Sequence, residues 1–270
     1  MPADLTARLL PRIVTLLPIA ALALLAACGR PAPHHRPMAP VTQSAPRFDD
    51  AKPVDWPGRT PRAYAVHGID ISRWNTGIDW PVAQAAGVSF AFIKATEGGD
   101  HVDPEFRHHW AAARRAGVPR GAYHFWYHCR SGAEQADWFI RNVPREAGAL
   151  PPVLDLEWPR SRNCPHRPDG AHVRREARIF LDRLEAYYGQ RPIIYTTPDF
   201  YQDTGIGSLR AEFWLRAVAD HPSSVYPGAD WTFWQYTGTG LIAGIPGKVD
   251  INAFRGSPAA WAGWLQARRQ

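Results

Sequence analysis

From Val66 onward the chain alternates between two hydrophobic periods. "VHGIDIS", "VSFAFIKA", "RGAYHF", "PPVLDLE" and "RPIIYTT" are short runs rich in β-branched and aromatic residues, bounded by Gly, Pro or polar positions, as buried strands are. Between them lie segments with apolar residues at helical spacing: "WPVAQAAG", ended by Gly87, Glu105 to Ala116, and "GAEQADWFIRNV". In "HVRREARIFLDRLEAYYG", Val173, Ala177, Phe180, Leu181 and Leu184 form one stripe and Gly189 supplies the stop. Repeated βα units predict a parallel sheet with helices outside. The later runs "EFWLRAV", "WTFWQYT" and "GKVDINAF" are separated by segments too short and too rich in Pro and Gly for full helices. The pattern therefore predicts an α/β fold over residues 64–270, an irregular TIM-like barrel of about five βα units that closes with strands alone. No glycine fingerprint for nucleotides follows the first strand, which counts against a dinucleotide-binding sheet.

The first residues follow another pattern. Arg8 and Arg12 precede "IVTLLPIAALALLAA", an apolar run too short for a comfortable membrane span, and small residues lead to Cys28, so residues 1–27 read as a secretory signal. "LAAC", Leu25 to Cys28, resembles the bacterial lipobox, whose Cys becomes the lipidated first residue after cleavage; an ordinary signal that happens to contain Cys is the alternative. The expectation is an exported lipoprotein on the periplasmic side, anchored through Cys28 in the inner or the outer membrane. Residues 28–63, rich in Pro and polar residues with neither period, read as a semi-extended tether.

Loss of the signal takes the formal charge from +6 to +5, 29 basic against 24 acidic residues, which suits an anionic polymer without identifying one. No nucleic acid is expected as partner, and the chain is expected to be a monomer. With Cys28 assigned to lipid, Cys129 and Cys164 remain as a pair in an oxidising compartment, and a disulfide is expected over two free thiols. Zinc is the poorer reading: neither Cys has a second Cys at ligand spacing, and His124 and His128 in "HFWYH" lack an H-E-x-x-H context. No metal or cofactor is expected.

Chemistry enters at "LPPVLDLEWP". Residues i and i+2 of a strand share a face about 6.6 Å apart, so Asp155 and Glu157 face the same way with Leu156 in the opposite layer. They stand at the C-terminal end of a parallel strand, where barrels keep their active sites. Two like charges held partly out of water raise the pKa of one, which keeps a carboxyl protonated near neutral pH as a general acid. Solvated loop or capping residues would account for one D-x-E equally well. "HGIDIS" and "VDIN", however, put Asp70 near the end of the first strand and Asp250 near the end of the last, and in a closed barrel these are neighbours. Four carboxylates at one rim suit a cation or an oxocarbenium-like transition state.

The ordered blocks "GIDIS", "FAFIKATEG", "GAYHF", "LPPVLDLE", "PIIYTT", "WTFWQYT" and "GKVDINAF", spanning Val66 to Gly256, resemble the glycoside hydrolase family 25 lysozymes, which are N-acetylmuramidases. The resemblance implies an irregular barrel of eight strands with few outer helices, and hydrolysis of the β-1,4 bond between N-acetylmuramic acid and N-acetylglucosamine in peptidoglycan. It implies Glu157 as acid/base, Asp155 as the partner steering the 2-acetamido group, and Asp70 and Asp250 as the other acids of the site. Retention and inversion differ in carboxyl separation, about 5 to 5.5 Å against about 6.5 to 9.5 Å, a range that rotamers on one strand span. Substrate-assisted retention through the acetamide is the expected route.

Stacking on sugar faces needs flat rings beside fixed polar groups, which points to Tyr123, Tyr195, Gln235, Tyr236 and Trp126, each open also to ordinary packing. Lys94 and Glu97 in "KATEG" are further candidates, for which a buried ion pair near the rim is the other account. The insertions "FWYHCRSG" and "WPRSRNCPHRPDG" depart from the common pattern and resemble those of exported lysozymes from Gram-negative bacteria. A chitinase-like hydrolase and a non-catalytic wall-binding lipoprotein are the alternatives.

Overall fold

The computed structural model describes residues 46, 48–159 and 164–268; the predicted signal, Cys28 and the first part of the predicted tether lie outside them, as do residues 160–163. After the two-residue β1 (Asp49–Asp50), the chain runs β2 (His67–Ile71), α1 (Trp80–Ala85), β3 (Val88–Glu97), β4 (His101–Val102), α2 (Phe106–Arg115), β5 (Arg120–Phe125) and α3 (Gly132–Asn142). It continues with β6 (Val153–Leu156), α4 (Gly170–Tyr188), β7 (Ile193–Thr196), α5 (Pro198–Thr204), β8 (Glu212–Arg216), α6 (Pro222–Val225), β9 (Phe233–Leu241), β10 (Val249–Phe254) and α7 (Pro258–Gln266). Eight strands close a barrel in the order β2-β3-β5-β6-β7-β8-β9-β10 and back to β2. All are parallel except β10, which is antiparallel to both neighbours. Only the four-residue α6 separates β8 from β9, and a turn joins β9 to β10, so closure by strands alone is as the hydrophobic pattern predicts.

The side-chain alternation of the strands separates two apolar layers. Phe90, Phe92, Val153, Ile193, Trp214, Phe233 and Phe254 fill the barrel. The alternate residues Ile69, Ala91, Ile93, Leu154, Leu156, Ile194, Leu215 and Ile251 face outward and meet the helices. Inside, Gly68 and Gly121 leave room for the rings: a Cβ on Gly68 would stand 2.4 Å from the Phe90 carbonyl oxygen, and one on Gly121 2.9 Å from the Phe92 ring. Outside, α4 buries Val173, Ala177, Phe180, Leu181 and Leu184, the stripe read from the sequence, at roughly 1.5–3 kcal/mol for each large side chain. Its ends are set locally: the Asp169 carboxylate accepts from the His172 N–H at 2.9 Å, and Gly189 takes the left-handed φ of 72° that stops the helix.

Among the described residues no helix longer than α6 lies between β8 and β9 and none lies between β9 and β10, and residues 48–63 cover that side. Asp49 and Asp50 pair antiparallel with Leu241 and Gly240 of β9. The Thr239 hydroxyl donates to Asp50 Oδ1 at 2.5 Å, and Trp56 meets Trp234 edge-on at 5.3 Å between centroids. Residues 48–63, the end of the segment whose composition reads as a tether, thus lie on the barrel as a strap. Period analysis cannot register this segment, because it is held by isolated rings and one short strand pairing rather than by a continuous face.

Candidate active site

At the C-terminal rim the inward-facing positions change from apolar to polar, and a cavity of ≈160 Å³ opens there. β2 supplies Asp70 and, two residues on, Ser72; β3 supplies Lys94; β5 supplies Tyr123 and Phe125; β6 and its extension supply Asp155 and Glu157. Tyr195 of β7, Trp214 of β8, Gln235 of β9 and Asp250 of β10 complete the lining. A larger cavity, ≈740 Å³, lies under the strap among Phe48, Trp56, His67 and Tyr236, on the opposite side of the barrel wall from the converging carboxylates.

The closure that joins the first and last strands pairs Asp250 directly with Asp70. Asp70 Oδ2 accepts from Gln235 Nε2 at 3.0 Å and from Asn252 Nδ2 at 2.8 Å. Both amides are oriented from behind: the Tyr195 hydroxyl donates to Gln235 Oε1 at 2.9 Å, and the Trp214 indole N–H, which can only donate, reaches Asn252 Oδ1 at 2.7 Å. This network fixes the Asp70 carboxyl in one orientation. Burial pushes the Asp70 pKa up, and Asp250, half-buried and hydrogen-bonded to Asp70, is pushed up to about 8 by desolvation and by Asp70. Two carboxyl groups in that contact share a proton.

Asp155 and Glu157 occupy the facing wall. Burial raises the Asp155 carboxyl well above the ordinary range, and the Glu157 charge raises it further. Asp155 Oδ1 is buried and has no hydrogen-bond partner among the described residues. Glu157 is raised chiefly by burial, with the Arg216 guanidinium opposing. Its backbone is gripped from the β5 loop. The Trp126 indole donates to His128 Nδ1 at 3.2 Å, so the His128 proton sits on Nε2, which donates to the Glu157 carbonyl oxygen at 3.2 Å. Burial pushes the His128 pKa down to about 4, which keeps this imidazole neutral. Cys129 and Cys164 form a disulfide that ties the loops after β5 and β6 together beside this contact.

The structure thus brings Asp70, Asp155, Glu157, Asp250, Tyr123, Tyr195, Gln235 and Lys94 to one cavity and leaves three other candidates outside it. Trp126 is one residue beyond Phe125 and so on the opposite face; its indole packs edge-on against Phe180 of α4, 5.9 Å between centroids, and meets the site through His128, while its backbone N–H donates to the Asp155 carbonyl oxygen at 3.1 Å. Tyr236 is likewise one residue off Gln235, faces outward, and hydrogen-bonds His67 Nδ1 at 2.9 Å. Glu97 does not line the cavity but anchors Lys94 in an ion pair of 2.6 Å, while the ammonium also sits 4.6 Å from the centre of the Phe125 ring. Sequence reading missed Ser72, Phe125, Trp214 and Asn252. Each lies two residues from another residue on the inner face, a signal present in "IDIS", "YHF", "WLR" and "VDIN" but usable only once the barrel interior is known.

The profile of the glycosyl hydrolases family 25 matches residues 69–245. Lysozyme M1 of Streptomyces globisporus is 38% identical over 212 residues, covering 72% of this chain and 69% of its own. YegX of Escherichia coli, an uncharacterised protein, is 35% identical over 217 residues, 78% of each chain. A solved family 25 glycosyl hydrolase from Bacillus anthracis superposes with a TM-score of 0.69 at 34% identity, covering 74% of this chain and 94% of its own. A barrel closed by an antiparallel last strand, four carboxyl groups at its C-terminal rim, and a match that spans most of the described residues place this chain in glycosyl hydrolase family 25.

Proposed function

We propose that the protein is a muramidase that hydrolyses the β-1,4 bond between N-acetylmuramic acid and N-acetylglucosamine in peptidoglycan. The observation that carries this reading is the pairing of a raised, partly accessible Glu157 with a buried Asp155 whose Oδ1 has no partner among the described residues. Glu157, protonated, donates to the glycosidic oxygen as the C–O bond breaks. The acetamide carbonyl oxygen of the same sugar attacks the anomeric carbon from the other face. With Glu157 protonated, its charge no longer raises Asp155, while the Lys94 ammonium lowers it, so Asp155 in its anionic form accepts the acetamide N–H, orienting it and balancing the positive oxazolinium that forms. Water then attacks the anomeric carbon as its bond to the acetamide oxygen breaks, regenerating the acetamide, and loses its proton to the Glu157 carboxylate, which restores the acid and the starting anomer. Asp70 and Asp250 hold one negative charge between them at the rim, and Tyr195 and Gln235 supply fixed polar contacts to the sugar.

Digestion of purified peptidoglycan by the protein and by Glu157→Gln, with mass spectrometry of borohydride-reduced products, tests this. New reducing ends on muramic acid are expected, lost at least a hundredfold in the variant. Reducing ends on glucosamine, or none, would refute it. Proton NMR of the first-formed anomer tests the acetamide route, which an inverted product would exclude.

The same reading takes the protein to be an exported monomeric lipoprotein on the periplasmic side, held by lipid on Cys28, in the form found in Gram-negative bacteria. The "LAAC" sequence and the basic-then-apolar leader support this. Mass spectrometry of the mature N-terminus tests it: a diacylglyceryl Cys28 is expected, and a mature chain beginning elsewhere would overturn it.

A further inference from the structure

Arg216 is the last residue of β8, opposite Gln235 in the register and two residues beyond Trp214 on the same, inward-facing side. Its backbone is fixed by the Tyr226 hydroxyl, which donates to the Arg216 carbonyl oxygen at 2.8 Å. Arg216 is half-buried, just beyond the Trp214 that lines the cavity, and its charge acts on Glu157 and Asp250. It is nevertheless in no ion pair within 4.0 Å among the described residues, unlike Arg120, which binds Glu146 at 2.6 Å, or Arg191, which binds Glu185 at 2.8 Å. The other cation of the cleft, Lys94, is engaged by Glu97.

An anionic substrate approaching this rim meets four carboxyl groups, and an unpaired guanidinium is the group whose planar fork matches an incoming carboxylate. Peptidoglycan strands carry carboxylates on every muramic acid, on the lactyl ether when free or on the attached peptide, whereas chitin carries none. We propose that Arg216 is a specificity-determining residue that receives the carboxylate on the muramic-acid substituent and so separates peptidoglycan strands from neutral N-acetylglucosamine polymers. This rests on the muramidase reading and extends it to the recognition of the substituent.

The test compares the full chain with Arg216→Gln and Arg216→Lys on three soluble glycan preparations. The first bears peptides, the second has been stripped of them to expose lactyl carboxylates, and the third is the second with those carboxylates converted to methylamides. Arg216→Gln is expected to raise KM about tenfold on a carboxylate-bearing glycan and to leave KM unchanged on the methylamide, with Arg216→Lys between. The wild type should itself bind the methylamide about tenfold more weakly. A rise confined to the stripped glycan identifies the lactyl carboxylate, and a rise confined to the first preparation identifies the peptide. Equal loss on charged and neutralised glycans would make Arg216 a structural or Glu157-tuning residue and overturn the proposal, as would no change on any. If the wild type cleaves none of the three, the muramidase reading fails, and this proposal falls with it.

Discussion

Asp250 and Asp70 illustrate how a site residue shapes stability as well as chemistry. Asp250 is raised to about 8 by burial and by the Asp70 charge and hydrogen bond, so the folded protein holds a proton that the unfolded chain releases near pH 4. Between those values the folded state binds more protons than the unfolded one, and stability falls as pH rises. Asp250→Asn removes that dependence: it should be stabilising at pH 8, by on the order of 1–3 kcal/mol, and near neutral at pH 4. Urea midpoints at both pH values measure this, and a variant less stable at pH 8 would contradict the assignment. Asn252→Leu works the other way, taking one donor from the Asp70 carboxylate and leaving the Trp214 indole unpaired, at a cost of about 1–3 kcal/mol with lower kcat.

Trp126 makes the same point from behind the site. Trp126→Phe keeps the ring among the core side chains but removes the N–H that orients His128. We expect kcat to fall severalfold with KM unchanged, since the indole meets Glu157's backbone grip and not the sugar. A raised KM with constant kcat would return Trp126 to the glycan surface. Tyr195→Phe, by contrast, frees the Gln235 amide that holds Asp70 and should alter both constants.

Among the elements, the loops after β5 and β6 hold Glu157 in place. They meet through the disulfide, whose cysteines are 35 residues apart in sequence with Cα atoms at 5.6 Å. Cys129→Ser with Cys164→Ser should cost about 3–4 kcal/mol by loop closure, read from denaturation midpoints with and without reductant. The strap is the other element with an unexpected role. Trp56→Ala removes the ring against Trp234 and should cost about 1–3 kcal/mol, with little change in kcat because the catalytic rim is on the inner face. A chain beginning at Ala65 should be less stable than one beginning at Pro46 by more than that, since it also loses the β1 pairing with β9.

For the whole molecule, what the sequence alone determined is what depends on near neighbours. Alternation at every second residue specified the strands, spacing at three and four specified α4, and the i, i+2 rule put Asp155 and Glu157 on one face. These follow from backbone geometry within a few residues. The order of the blocks was enough to indicate the barrel and its strand-only ending. The tertiary structure decided which face of each strand looks inward. A one-residue step therefore carried Trp126 and Tyr236 outside while Phe125 and Gln235 stayed in, and alternation alone cannot name the inner face where both faces are apolar. It also decided what depends on contacts between distant segments: the Asp70–Asp250 proton, set by the pairing of first and last strands, the grip of His128 on Glu157, and the docking of residues 48–63. Burial and charge proximity set pKa values and orient carboxyl groups, and both exist only once strands far apart in the chain are brought within a few ångströms.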